Sequence, residues 1–159
     1  MNKAELLDIA EDAAGSLLLF ARQWDPEFAE DVVQEAVLKL VAAVDNGDAR
    51  PENITGWLFT VVRNESINRL RMKKTCKNHH ENYANTKPVW FEPSTETKLD
   101  AELVSEKLQT LPLENREVIV AKIWGELSFE QIGELTGTSR SSAHRRYVEG
   151  LQMLRDGLK

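Results

Sequence analysis

Cysteine is almost missing from this sequence: Cys76 is the only one in 159 residues. A lone thiol rules out an intramolecular disulfide and agrees with a reducing compartment. Long apolar runs are missing too. None exceeds the stretch Leu17–Ala21, far below the roughly 20 residues that span a bilayer, so no membrane span is expected. The opening MNKAELLDIAEDA is acidic and lacks the basic segment, apolar stretch and cleavage site of a secretory signal; a cytoplasmic protein is expected. Period-two alternation, the mark of a half-buried strand, is absent as well. There is no nucleophile-base-orienter set, phosphate-binding loop or quartet of metal ligands, so no catalytic residue, metal or cofactor is expected. Cys76-Lys77-Asn78-His79-His80 contains ligand types without a partner cluster. A polar linker is its expected setting, and Cys76, His79 and His80 receive no role.

What is present is ordinary for a globular chain, with 42% hydrophobic and 29% charged residues. The length suits one domain or two small ones joined by a linker. The net charge of -6 argues against nucleic-acid binding only until the charges are located. Residues 1–31 hold eight acids against Lys3 and Arg22. Residues 63–77 hold Arg63, Arg69, Arg71, Lys73, Lys74 and Lys77 against Glu65 alone. A second basic segment, residues 138–159, carries Arg140, Arg145, Arg146, Arg155 and Lys159 against Glu149 and Asp156. Two positive segments, one per half, suggest two contacts on one polyanion; two solvated helix ends are the plainer alternative.

Apolar residues recur at three- and four-residue steps, which predicts an all-α chain. The first helix is expected from about Lys3 to Trp24, with Leu6, Ile9, Ala13, Leu17 and Phe20 inward. Asp25-Pro26 marks a new start, because proline suits a first helical turn. The second helix is expected over Pro26 to Val44, and a third over Ile54 to Lys74. From Thr75 to about Thr97 the periodicity disappears, although Val89-Trp90-Phe91 is an apolar island with no evident role in a free tether. Helical pattern resumes near Leu99, and three more helices are expected over Leu113 to Trp124, Phe129 to Leu135 and Arg140 to Leu158. The expected organisation is therefore 1–75, a linker 76–97, and 98–159.

Ser128-Phe129-Glu130-Gln131 has the spacing of a capping box, with Leu127 and Ile132 placed as its hydrophobic staple. Gly137 can close that short helix in the left-handed conformation, and Ser139 can cap the next. A short capped helix, a glycine turn and a second capped helix make a helix-turn-helix, whose second helix enters the major groove by its N-terminal residues. Ala143, Tyr147, Leu151, Leu154 and Leu158 form its inward stripe. Ser139, Arg140, Ser141, Ser142, His144 and Arg145 are left to face DNA, as hydroxyls and arginines suit phosphates and base edges.

With these residues in view, the stretch LPLENREVIVAKIWGELSFEQIGELTGTSRSSAHRRYVEGLQMLR resembles the C-terminal promoter-binding domain, region 4, of the ECF group of sigma-70 factors. In the front half, EDVVQEAVLKL and GWLFTVVRNESINRLRMKK resemble the Asp-Leu-Val-Gln-Glu helix and the Arg-rich helix of region 2. The resemblance implies that Asp31, Gln34, Glu35 and Leu38 dock the clamp helices of the largest subunit of core RNA polymerase. Trp57 and Leu58 would anchor the third helix. Asn64 and Asn68 would hold a base flipped from the promoter -10 element, since amides both donate and accept. Arg63, Arg69, Arg71, Lys73 and Lys74 would contact phosphates, and Asn46 to Asn53 would close over the base. The implied partners are core polymerase and promoter DNA, with an anti-sigma protein allowed, and the free protein is expected to be a monomer. Near the C-terminus the chain departs from the family at Glu149-Gly150, and mid-helix glycine points to a close packing contact or a kink there. The alternative is a stand-alone helix-turn-helix regulator that never acts as a sigma subunit.

Overall fold

The computed structural model describes residues 3–47, 51–75 and 95–157, with only the backbone given for 95–101. They form α1 (Lys3–Arg22), α2 (Ala29–Asp45), α3 (Ile54–Thr75), α4 (Thr95–Leu108), α5 (Leu113–Ile123), α6 (Phe129–Thr136) and α7 (Arg140–Gly157). No strand occurs among the described residues. Cys76, His79, His80 and the Val89-Trp90-Phe91 island lie outside them.

The front bundle is built on α1, which is apolar on more than one side. Besides the expected stripe, Ala10, Ala14, Leu18, Leu19 and Ala21 are buried, whereas Ile9 is only half-buried. A helix with so wide an apolar surface needs several neighbours, and it has them: α2, α3 and α4 all pack on α1. Val32, Val33, Ala36, Val37 and Leu40 come from α2, and Leu58, Phe59 and Val62 from α3. Phe20 and Phe59 meet at 4.8 Å between ring centroids.

The second helix starts at Ala29 rather than Pro26. Asp25 explains the delay, because its Oδ1 accepts a hydrogen bond from the Glu27 N–H at 2.9 Å, a local turn that competes with helical geometry. At the start of α3, Asn53 Oδ1 accepts from the Gly56 N–H at 2.9 Å. Leu58 is fully buried and Trp57 is half-buried against the core.

The rear unit packs α5, α6 and α7 together. Ile119, Val120, Leu127, Ile132, Leu135 and Ala143 supply its apolar centre. Although α4 belongs to the segment expected to start the rear unit, its chief packing partner is α1. One apolar cluster runs without a break from Leu6 on α1 to Ala143 on α7.

Candidate nucleic-acid interface

The helix-turn-helix forms as its cap residues dictate. Ser128 Oγ accepts from the Gln131 N–H at 3.1 Å, and Gln131 Oε1 accepts from the Ser128 N–H at 2.8 Å. Leu127 and Ile132, the staple pair, are both buried. Gly137 takes φ 70, ψ 30, the left-handed conformation that ends α6. The Gly133 Cα lies tight against the turn, where a Cβ would come within 2.9 Å of the Thr138 carbonyl oxygen. Ser139 Oγ accepts from the Ser142 N–H at 3.1 Å and so caps α7.

Helix α7 then presents Arg140, Ser141, His144 and Arg145 to solvent, with Ser142 half-buried beside its cap. His144 has a second attachment that its position alone does not reveal. Its ring meets the edge of Phe129 at 5.0 Å, while Tyr147 and the Lys122 ammonium pack on the same phenyl group at 5.4 and 4.5 Å. Gly150 is buried, and a Cβ there would stand 2.6 Å from Ile119 Cδ1. The glycine therefore marks a close approach of α7 to α5. Asn115 lies in the same seam, buried, donating from Nδ2 to the Arg146 carbonyl at 2.9 Å. Of the expected inward stripe, Ala143 is buried and Tyr147, Leu151 and Leu154 are half-buried; Leu158 lies outside the described residues.

In the front half, Asn64 and Asn68 stand one turn apart on α3 and both are exposed. Arg71 and Lys74 are also exposed and make no ion pair among the described residues. The remaining cations of this helix are engaged by carboxylates. Arg69 meets Glu65 at 3.3 Å and Asp31 at 3.8 Å. Lys73 sits 2.6 Å from Asp25 and 2.7 Å from Glu27, and these hydrogen bonds, Asp25 first, raise its pKa above the ordinary lysine value. Arg63 reaches across to the rear unit, where its Nε and Nη2 donate to Glu117 Oε2 and Oε1 at 2.9 and 3.4 Å. Residues 48–50 of the expected base-closing loop lie outside the described residues.

Asp31, Gln34, Glu35 and Leu38 share one face of α2, at steps of three and four, and all are half-buried. Asp31 belongs to the same ion-pair group as Arg69, so the α2 face and the basic side of α3 are joined edges of one surface. Glu117, Phe129 and Asn115 contact Arg63, His144 and the Arg146 carbonyl, pairings that sequence reasoning did not single out. Glu117 follows Arg116 and precedes the apolar Val118-Ile119-Val120 segment, so on its own it reads as an ordinary charged residue of a helix.

The family profile described as Sigma-70 region 2 matches residues 5–75, and that described as Sigma-70, region 4 matches residues 101–154. Among curated proteins, the RNA polymerase sigma factor SigV of Bacillus subtilis is 25% identical over 87% of this chain and 80% of its own length. The ECF RNA polymerase sigma factor SigW of the same organism is 26% identical over 98% of this chain and 88% of its own. Among solved structures, the sigma factor RpoE of Bartonella quintana, crystallised with the anti-sigma factor NepR, superposes with a TM-score of 0.70 at 25% identity, over 98% of this chain and 95% of that one. CnrH, solved with the cytosolic domain of CnrY, shares the fold with a TM-score of 0.63 at 22% identity, over 99% of this chain and 89% of that one.

Proposed function

Because this chain belongs to the ECF group of the sigma-70 superfamily, and such a factor confers promoter-specific initiation on RNA polymerase, we propose how its surfaces divide that work. The α2 face of Asp31, Gln34, Glu35 and Leu38 docks the clamp helices of core polymerase. Asn64 and Asn68 hold a base released from the -10 element. Arg71 and Lys74 neutralise nearby phosphates, joined by Arg63, Arg69 and Lys73 when DNA displaces their carboxylate partners. The first turns of α7, from Ser139 to Arg145, read the -35 duplex. The units that do this are residues 1–75 and 98–159 joined by 76–97.

The observation that carries this reading is the exposed Asn64–Asn68 pair on α3. Asn64, Asn68 and Arg71 follow one another at helical steps of four and three, so the two amides and a cation share one exposed face. Unpaired bases offer donors and acceptors on an edge that such amides can match. Capturing them offsets the few kcal/mol that unstacking costs. None of these steps is catalytic. A stand-alone regulator would use the helix-turn-helix but would leave the region 2 half without a task.

The surplus of acid suits a subunit that binds DNA weakly until polymerase presents both halves together, when the second contact becomes intramolecular. The test is run-off transcription with core polymerase and genomic promoter fragments. Promoter-specific transcripts are expected only when the protein is added. Transcripts that stay at the core-only level on every fragment would refute the assignment.

A further inference from the structure

The polar side chains at the start of α7 are held in different ways. Ser139 and Ser142 bond to each other at the cap at 3.1 Å, and Arg145 meets Glu149 one turn further along the same helix at 3.9 Å. His144 is held from outside α7. Its imidazole packs on Phe129, the first residue of α6, with ring centroids 5.0 Å apart and planes at 80°. A T-shaped contact of this kind is a favoured arrangement of two aromatic rings.

Phe129 is itself fixed from three directions. It follows Ser128, and the reciprocal bonds between Ser128 and Gln131 set the turn of α6 on which it stands. The Tyr147 ring of α7 meets it at 5.4 Å. From the last turn of α5, the Lys122 ammonium stands 4.5 Å from its centroid, within the range over which a cation is drawn to an aromatic face. Phe129 is half-buried among these groups, whereas His144 remains exposed.

An imidazole anchored behind and open in front is a preorganised hydrogen-bonding group. Much of the side-chain freedom it would surrender on meeting DNA is already gone, so less of the contact energy is spent on ordering it. A phosphate, accepting from many directions, has little use for such aim; a base edge does. In the major groove purines present N7 as an acceptor, and an imidazole N–H can donate to it.

We propose that Phe129 is a positioning residue for promoter reading: it aims His144 at a purine N7 in the -35 element, and Lys122 and Tyr147 hold it in place. The inference rests on the sigma-factor reading of α7 and deepens it. Discrimination at one base pair then depends on α6 and on the end of α5, through residues that need not touch DNA themselves.

Two measurements test the assignment. In the full chain, nuclear Overhauser effects are expected between the ring protons of His144 and Phe129. Their absence would overturn the proposal, and reading them needs no variant. The holoenzyme is then bound to promoter duplexes in which each -35 purine in turn is replaced by its 7-deaza analogue, which lacks N7 and keeps Watson–Crick pairing. At one position the replacement is expected to cost wild type about fivefold in affinity, the worth of a single hydrogen bond, and to cost His144→Ala nothing. Phe129→Leu keeps apolar bulk and removes the ring. It should bind the unmodified duplex about as weakly as wild type binds the modified one, and be indifferent to N7 at that same position. Phe129→Tyr keeps the ring and should keep the discrimination. A Phe129→Leu protein that weakens on every duplex alike while retaining N7 sensitivity would show a purely structural role and overturn the proposal, as would a wild type indifferent to every 7-deaza replacement. Wild-type holoenzyme that prefers no promoter fragment would instead count against the sigma reading, with the ring contact still established by the Overhauser effects.

Discussion

Replacing Gly150 with alanine pits two effects of similar size against each other. Alanine in mid-helix is favoured over glycine by about 0.5–1 kcal/mol, because glycine loses more backbone freedom on folding. Against this, the new methyl group would stand 2.6 Å from Ile119 Cδ1, 3.3 Å from Asn115 Cβ and 3.4 Å from Ile119 Cγ1. The first distance demands movement, and the other two leave little room for it. Overpacking of this kind costs about 1–3 kcal/mol, so Gly150→Ala is expected to destabilise by about 1 kcal/mol net. Ile119→Val removes the atom that clashes and alone costs about 0.5–1.5 kcal/mol. In the double variant the alanine methyl occupies the space vacated by Cδ1, so the two costs do not add. Urea denaturation of the four proteins yields the coupling, expected at 1 kcal/mol or more in the favourable direction, on the order seen for residues in contact. If Gly150→Ala alone proves about 1 kcal/mol more stable than wild type, helix propensity has acted unopposed and α7 does not lie against α5 at this point.

Four other outcomes are expected. Ser128→Ala removes the oxygen that accepts from the Gln131 N–H and should cost about 0.5–2 kcal/mol in denaturant unfolding. Glu126 is held at φ 55 between α5 and α6, a conformation that costs a residue with a Cβ about 1–2 kcal/mol, so Glu126→Gly should raise the denaturation midpoint. Asn64→Ala and Asn68→Ala should leave capture by core polymerase unchanged and reduce promoter melting, read by permanganate reactivity of the -10 strand; equal loss of both would point to misfolding instead. Arg145→Ala should weaken binding of the holoenzyme to -35 duplex, and if its contact is to phosphate the slope of log affinity against log salt should fall by about 1.

Local chemistry was legible in the sequence and distant pairing was not. Ser128, Gln131, Gly137 and Ser139 act on backbone groups a few residues away, and their spacing predicts the helix-turn-helix that forms. The anomaly at Gly150 likewise pointed to a close contact, though not to Ile119 as the neighbour. Proline at position 26 misled about the start of α2, because Asp25 turns the chain locally before the helix can begin. The segregation of acids and bases was visible, but not that part of it cancels within the front half. Lys73 meets Asp25 and Glu27, and Arg69 meets Asp31, across gaps in sequence that periodicity cannot see. The Arg63–Glu117 fork belongs to the same class, since each side chain on its own reads as an ordinary charged residue of a helix. The pairing of α4 with α1 escaped for a similar reason: a short amphipathic helix shows which of its faces is apolar, not which neighbour will cover it.

The Asn115 amide bonded to the Arg146 carbonyl has one last implication, for aim rather than for strength. Greasy surfaces tolerate rotation of one rod against another, since many angles bury similar area. A directional bond of fixed length does not, and abandoning it would leave a shielded amide unmatched at about 1–3 kcal/mol. Turning α7 by a single residue, about 100°, would swing Ser141 and Arg145 off the side they now present. This one polar tooth therefore keys the azimuth of the reading helix, and sequence preference at the distal promoter element should blur, with little loss of grip, when Asn115 is exchanged for leucine.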